Sequence, residues 1–394
     1  MSRGELCVYN SLSRKQQRIE EAGSSIGLYV CGITPYDTTH LGHAFTYTAF
    51  DVLVRYLRFL GHRVTYVQNI TDVDDDLLLR SAAIGVNWKE LGEEHTRKYM
   101  DDMKTLNNLP PDIMPRATDH IDDIIRVVEG LFEKGFAYER RGNIYFRVQS
   151  AQNFGTLCPI PYEAQLMLAN ERGNFPEDPL KQDPLDFVLW QAKKEGEPHW
   201  PSPWSEGRPG WHIECSAMSM KYLGETFAIH GGGEDLKFPH HDCEIAQSEN
   251  YTGRPFVRNW MHIGMVYCGA KKMSKSLGNM IFLSDLAAKY PSDAVRLYLL
   301  SHHYRRGWNY DPQGLELANS LARTLNEAVS GVEAADEEEL SRFSEPFLAA
   351  LARDLDTPHA IQELKRLANH RDSSARRALR TLSESILGLS FTPL

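Results

Sequence analysis

Ile26-Gly27-Leu28-Tyr29-Val30-Cys31, followed at a short distance by His40-Leu41-Gly42-His43, decides how this chain folds. The apolar run reads as a buried strand and the amphipathic stretch from Leu41 to Leu60 as a helix, so the histidine pair falls on the turn between them. Backbone N–H groups at such a helix start point toward an anion. Gly61 closes the helix, and Arg63-Val64-Thr65-Tyr66-Val67 reads as a second strand, completing a βαβ unit of parallel sheet. The fold class expected is therefore α/β, with a nucleotide-binding half-fold at the front.

Beyond that unit, residues 76 to 106 and 119 to 135 read as helical, and Asn143 to Val148 as a short strand. The Pro-rich stretch Pro159 to Pro209 is expected to be an irregular insertion without further sheet, which resumes near Trp211. Phe227-Ala228-Ile229-His230 is a third strand, leading through Gly231-Gly232-Gly233 to a helix that starts around Pro239 and carries His240 and Glu244. From Ser284 onward the pattern is helical, with an acidic linker at Glu333 to Glu339 before the last segments, and no internal repeat is present.

At 394 residues, with 42% hydrophobic and 24% charged residues, the chain has the composition of a globular protein of two or three domains, not of a disordered one. The polar first 23 residues lack an apolar signal region, and no stretch approaches the ~18 apolar residues of a membrane span, so a cytoplasmic protein without membrane attachment is expected. Six scattered cysteines without a CxxC pair do not form a disulfide framework; in a reducing compartment they are thiols or metal ligands. A net charge of −10 excludes a generally basic surface but leaves room for a local patch, such as Lys365, Arg366, Arg371, Arg376, Arg377 and Arg380, whose plain alternative is a solvated helix face.

Several clusters carry chemistry. Cys31, Cys215, His240 and Glu244 offer two thiolates, an imidazole and a carboxylate, a donor set suited to tetrahedral Zn²⁺. His240 and Glu244 lie four apart on one helix face, whereas the distant cysteines would serve equally well as small buried hydrophobes. His40 and His43 can donate to phosphate oxygens, with Gly42 admitting a nucleoside to the backbone, unless they are ordinary turn histidines. Lys272 and Lys275, in a Gly/Lys-rich loop, can neutralise charge on a departing pyrophosphate, or else decorate a surface hairpin. Gly232 and Asp235 offer close approach and a carboxylate for a ribose hydroxyl. The run Thr71 to Asp76 lacks the glycine and terminal glutamate of a calcium loop and reads as an acidic helix start.

With these residues in place the chain resembles the class I aminoacyl-tRNA synthetases, in particular the cysteinyl-tRNA synthetase family and the related cysteine:glucosaminyl-inositol ligases of mycothiol biosynthesis. The resemblance runs from about residue 5 to 390. It rests on Tyr29 to Thr34, His40 to His43, Asn69-Ile70-Thr71-Asp72, Gly210 to Met218, His230 to Leu236, Phe238-Pro239-His240-His241 and Lys272-Met273-Ser274-Lys275-Ser276 with Leu277-Gly278-Asn279. It implies a Rossmann-like catalytic domain in two halves, 1–110 and 205–265, split by a connective insertion at 111–204. A lysine-loop and stem-contact region at 266–315 and a helical bundle at 316–394 follow, without an evident anticodon-binding domain.

The same resemblance implies that the chain activates L-cysteine with ATP and Mg²⁺, acting as a monomer. One Zn²⁺ held by Cys31, Cys215, His240 and Glu244 would grip the substrate thiolate, in a pocket lined by Cys31, Thr34, Thr71 and Trp211. A Zn–S bond of about 2.3 Å favours cysteine over serine in one step, and the substrate carboxylate, ionised above a pKa of roughly 3.5, attacks without a general base. Two acceptors fit the core motifs. Glu244 and Lys275-Ser276-Leu277-Gly278-Asn279 resemble the tRNA enzymes and favour tRNA, while Thr34-Pro35-Tyr36-Asp37 and the chain's end at Leu394 lean toward glucosaminyl-inositol. A non-catalytic paralogue that binds RNA or another partner would need none of the signature lysines. For a catalytic chain, Lys275→Ala is expected to lower kcat for adenylate formation far more than it raises KM for cysteine; steady-state pyrophosphate exchange measures both.

Overall fold

Residues 5–20, 25–37, 39–269, 271–272 and 279–391 are described by a computed structural model. Strand β1 (Ile26–Ile33) is buried along nearly its whole length, as expected for a strand covered on both faces. His40 caps helix α1 (Leu41–Phe59), its Nδ1 accepting from the His43 N–H at 3.3 Å. Strand β2 (Val64–Ile70) then lies parallel to β1, with Ile26 opposite Val64 and Val30 opposite Gln68. The βαβ unit expected from the sequence is thus present.

After the insertion the chain returns through helix α2 (Trp211–Leu223), strand β3 (Phe227–Gly233), helix α3 (Asp242–Thr252) and strand β4 (Val257–Ile263). Among the described residues these strands form a four-stranded parallel sheet in the order β4-β3-β1-β2. Chain progression goes outward from β1 to β2 and then, from β3, in the opposite direction. The carboxyl ends of β1 and β3 therefore border the crevice where such sheets bind ligands.

Three expectations need correction. The stretch Pro159 to Pro209 is not irregular throughout: it holds a helix at Tyr162–Asn170 and strands at Phe187–Ala192 and Gly207–Pro209. These strands join Ala137–Arg140 and Asn143–Phe146 in an antiparallel sheet. Its prolines lie mostly in the connections, and Pro209 sits on an edge strand, where its missing N–H costs nothing. Trp211 opens a helix instead of a strand. α2 buries Ile213 and Ala217 against the insertion and Cys215 and Met218 against the main sheet, so two apolar faces erase the one-sided periodicity a reader looks for. The helical stretch 76 to 106 is also two helices, Asp75–Ile84 and Trp88–Thr105, separated at left-handed Gly85 and the cap Asn87.

α1 is buried almost all round because the C-terminal helices cover the side that faces away from the sheet. A charge there needs partners, and Asp51 has them: Arg55 at 2.9 Å, the Leu109 N–H at 2.8 Å and the fully buried Arg296. Arg296 also donates to the Leu106 carbonyl at 2.8 Å and to the Leu387 carbonyl, tying α1, the helix Ser292–Leu300 and the chain's last turn together. Of the basic residues at 365 to 380, Arg366, Arg377 and Arg380 are paired with Glu363, Glu339 and Glu384. Much of that patch is therefore neutralised within the bundle.

Glu339 closes a capping box with Asp336 and accepts from Arg377 and Ser374. Arg377 first, and then Ser374, hold its carboxyl down at about 2 from an ordinary 4.5. A carboxyl depressed by folding contributes stability above its ordinary pKa and loses that contribution as the pH falls toward the folded value. The bundle should weaken as pH drops from about 4.5 to 2, and Glu339→Gln should flatten this slope. Acid-titrated hydrogen exchange of the helix Ser373–Leu382 reads it directly.

Candidate active site and metal centre

A cleft of about 1140 Å³ opens over the carboxyl ends of β1 and β3. Gly32, Thr34, His40, His43 and Trp211 line one wall, and Arg172, Phe175 and Lys181 from the insertion line the other. Gly32 is there for a steric reason: a Cβ at this position would stand 1.6 Å from the Asn69 carbonyl oxygen. Its N–H instead donates to the Asn69 side chain at 2.9 Å, and the Asn69 amide donates to Thr71 at 3.1 Å. Thr71 is thus buried and held, just behind the cleft surface.

At the foot of the cleft the sheet brings distant donors together. Cys31, at the end of β1, places its Sγ 3.9 Å from Cys215 on α2, 3.7 Å from a Glu244 oxygen on α3 and 3.3 Å from His241 Nε2. His240 Nε2 lies 3.1 Å from the same Glu244. Donor atoms of Cys31, His240, His241 and Glu244 all fall within 4.8 Å of one another, and Cys215 joins them through Cys31. Of the four residues expected from sequence, Cys31, His240 and Glu244 fall in this group and Cys215 lies beside it against Cys31, while His241 is a further donor absent from the expected set. Its signal was the doubled histidine itself, since a residue three before Glu244 shares that helix face.

The chemistry of the set suits a cation. In a zinc tetrahedron with Zn–S bonds of about 2.3 Å, two sulfurs stand about 3.8 Å apart, close to the 3.9 Å between Cys31 and Cys215 and far from a disulfide's ~2.05 Å. Burial pushes the Cys31 thiol up, with Cys215 and Glu244 adding to it, and burial likewise raises Glu244. His240 and His241 are lowered by burial and by neighbouring imidazoles. Burial thus favours the neutral forms of Cys31, His240, His241 and Glu244, and a metal would take the place of the Cys31 and Glu244 protons.

A ring of imidazoles orients these groups. His212 Nδ1 is 2.8 Å from His240 Nδ1, His230 Nε2 is 2.8 Å from Glu244, and His241 Nδ1 is 2.8 Å from His262, which reaches Ser11 at 2.8 Å. Partners of this kind fix the tautomer and aim of a metal-ligating side chain. Trp211 stacks on His240 with ring centres 4.3 Å apart, placing an aromatic lid between the donors and the cleft.

Of the nucleotide-binding candidates, His40 and His43 line the cleft. His40 and His43 stack 3.7 Å apart at the start of α1, with Gly42 between them. Ile281 and Phe282, just past the lysine loop, bond to Leu41 and His40 and so bring the end of that loop to the histidine turn. Gly232 is the last residue but one of β3, and Asp235 is held by Arg172 of the insertion at 2.8 Å. The backbone of Lys272 pairs with Tyr267; Lys275 lies outside the described residues. Asp74 caps the helix Asp75–Ile84, as the reading of an acidic helix start requires.

Comparison with known proteins bears on the family and the fold. A family profile described as the class I (C) tRNA synthetase catalytic domain matches residues 17–320. Cysteine–tRNA ligases of Idiomarina loihiensis and of Legionella pneumophila strain Paris are each 45% identical over 98% of this chain and 84% of their own length. That of Thermococcus onnurineus is 43% identical over 92% of the chain. Among solved structures, a Mycobacterium tuberculosis methionyl-tRNA synthetase with methionyl-adenylate superimposes with a TM-score of 0.64 at 15% identity, covering 92% of this chain and 89% of its own. At that identity the match speaks for the fold alone.

Proposed function

The chain belongs to the cysteine–tRNA ligase family of class I tRNA synthetases, and from that premise we propose that it activates L-cysteine with ATP and transfers it to tRNA, releasing AMP and pyrophosphate. The observation that carries this reading is the buried thiol, imidazole and carboxyl cluster beneath Trp211, at the edge of a cleft large enough for an aminoacyl adenylate and an acceptor end. Zn²⁺ bound by Cys31, Cys215, His240 and Glu244 would supply a soft Lewis acid that prefers a thiolate to the hydroxyl of serine. The histidine ring keeps those ligands aimed, and Trp211 with Thr34 and Thr71 bounds the small substrate.

On the nucleotide side, Gly42 and Gly232 let adenosine approach the backbone, and Asp235 receives a ribose hydroxyl. His40 and His43, at the positive end of α1, donate to the phosphates, while Lys272 and Lys275 neutralise the pyrophosphate as it leaves with Mg²⁺. The cysteine carboxylate is already ionised, so catalysis rests on positioning and charge stabilisation. No step requires a protein base.

We assign the catalytic halves to 1–110 and 205–265, the insertion to 111–204, the loop region to 266–315 and the bundle to 316–394. Among the described residues no helix is long and apolar enough to cross a membrane. The free state of all six cysteines supports a reducing cytoplasm, where we expect a monomer. The relatives favour tRNA as acceptor over glucosaminyl-inositol.

Cysteine-dependent pyrophosphate exchange followed by an acceptor assay tests the reading. Cysteinyl-tRNA should form, and adenylate that passes only to glucosaminyl-inositol would refute it. Elemental analysis tests the ligand set: Cys215→Ala should lose bound zinc and raise KM for cysteine, whereas His241→Gln should keep the metal. The reverse result would move the centre to Cys31, His240, His241 and Glu244.

A further inference from the structure

Asp235 and Arg172 come from different parts of the fold. Asp235 follows β3 on the turn that leads to His240, while Arg172 sits on the turn after the insertion helix Tyr162–Asn170. Their side chains nonetheless form an ion pair, Nη2 to Oδ2 at 2.8 Å, about 30% and 27% exposed at the cleft edge. A pair of this exposure contributes little to stability. Its interest lies in which carboxylate it holds.

We propose that Arg172 is a positioning residue for nucleotide binding: it sets the Asp235 carboxylate in the orientation that receives the ribose, so that affinity for ATP depends on how the insertion is seated. The proposal rests on the reading of Asp235 as the ribose acceptor. Three features support it. The donor is locked in advance: Arg172 and Asn174 N–H groups bond back to the Ala169 carbonyl at 2.9 and 3.1 Å. Asn174 further bonds to Asn170 and to the Pro184 carbonyl at 2.7 and 3.1 Å. A guanidinium on such a turn loses little freedom in binding a carboxylate.

The acceptor is folded back over the chain. Asp235 Oδ1 occupies space that only a glycine leaves, since a Cβ at Gly233 would come within 2.5 Å of it. Arg172 therefore opposes a side chain already turned toward the end of β3, and fixes its other oxygen. A carboxylate has about four acceptor positions, so a guanidinium and a ribose hydroxyl can share it. Finally, the helix Tyr162–Asn170 packs on the segment Lys237–His241, so the insertion touches the one stretch of chain that runs from Asp235 to the metal cluster. The seating of the insertion thus reaches Asp235 through the Arg172 side chain.

Pyrophosphate exchange on the full, zinc-loaded chain tests this, with zinc content measured in parallel. Arg172→Ala should raise KM for ATP about three- to tenfold, leaving KM for cysteine, kcat and zinc content within about twofold; Arg172→Lys should recover part of the loss and Arg172→Gln little of it. Asp235→Asn should raise KM for ATP by itself, and adding Arg172→Ala to it should cost nothing more. If Asp235→Asn impairs ATP but Arg172→Ala and Arg172→Gln do not, the proposal falls and the ribose reading stands. If Asp235→Asn leaves KM for ATP unchanged, the ribose reading falls and takes the proposal with it. Parallel loss of cysteine affinity or zinc in the Arg172 variants would show a general structural role and overturn the proposal.

Discussion

Parallel pairing of β1 with β3, Leu28 beside Ile229, Tyr29 beside His230 and Val30 beside Gly231, is the constraint from which the site follows. It places Cys31 next to the stretch that carries the histidines, although 184 residues separate it from Cys215 and 213 from Glu244. Because strand order reverses at this pair, no helix crosses over the carboxyl ends of β1 and β3, and the gap becomes a cleft. The same register brings His230 against Glu244 and under Trp260, so the metal cluster is walled by aromatic rings on the side away from solvent.

Energetically, the cluster is a demanding arrangement. The Cys31 thiol, several imidazoles and the Glu244 carboxyl are taken out of water, and burial favours the neutral form of each. Hydrogen bonds around the ring offset part of that cost by giving every imidazole a fixed partner. A divalent cation held by these side chains would supply the positive charge that lets the Cys31 thiol and the Glu244 carboxyl ionise.

The surrounding domains serve this centre in different ways. The C-terminal helices clamp the far side of α1 through Arg296 and Asp51, which steadies the helix whose first turn presents His40 and His43. The insertion is tied to α3 by Asp242, which accepts from the Leu157 and Cys158 N–H groups at 2.9 and 3.0 Å, and to the nucleoside turn by Arg172. With its apolar core packed on α2 and α3, the insertion forms a wall of the cleft.

The sequence by itself determined the βαβ start, the capped histidine turn, the pairing of His240 with Glu244 on one helix face and the family to which the motifs point. These are local properties, carried by periodicity and by residues a few positions apart. Only the tertiary structure decided that Cys31 and Cys215 meet, that His241 joins them, that Trp211 opens a helix and covers His240, and that Arg172 reaches Asp235. α2 carries no one-sided periodicity because it is buried on two faces, and the insertion's strands are short and set among proline-rich connections. Long-range contacts depend on which strand lies beside which, and no spacing along the chain records that choice.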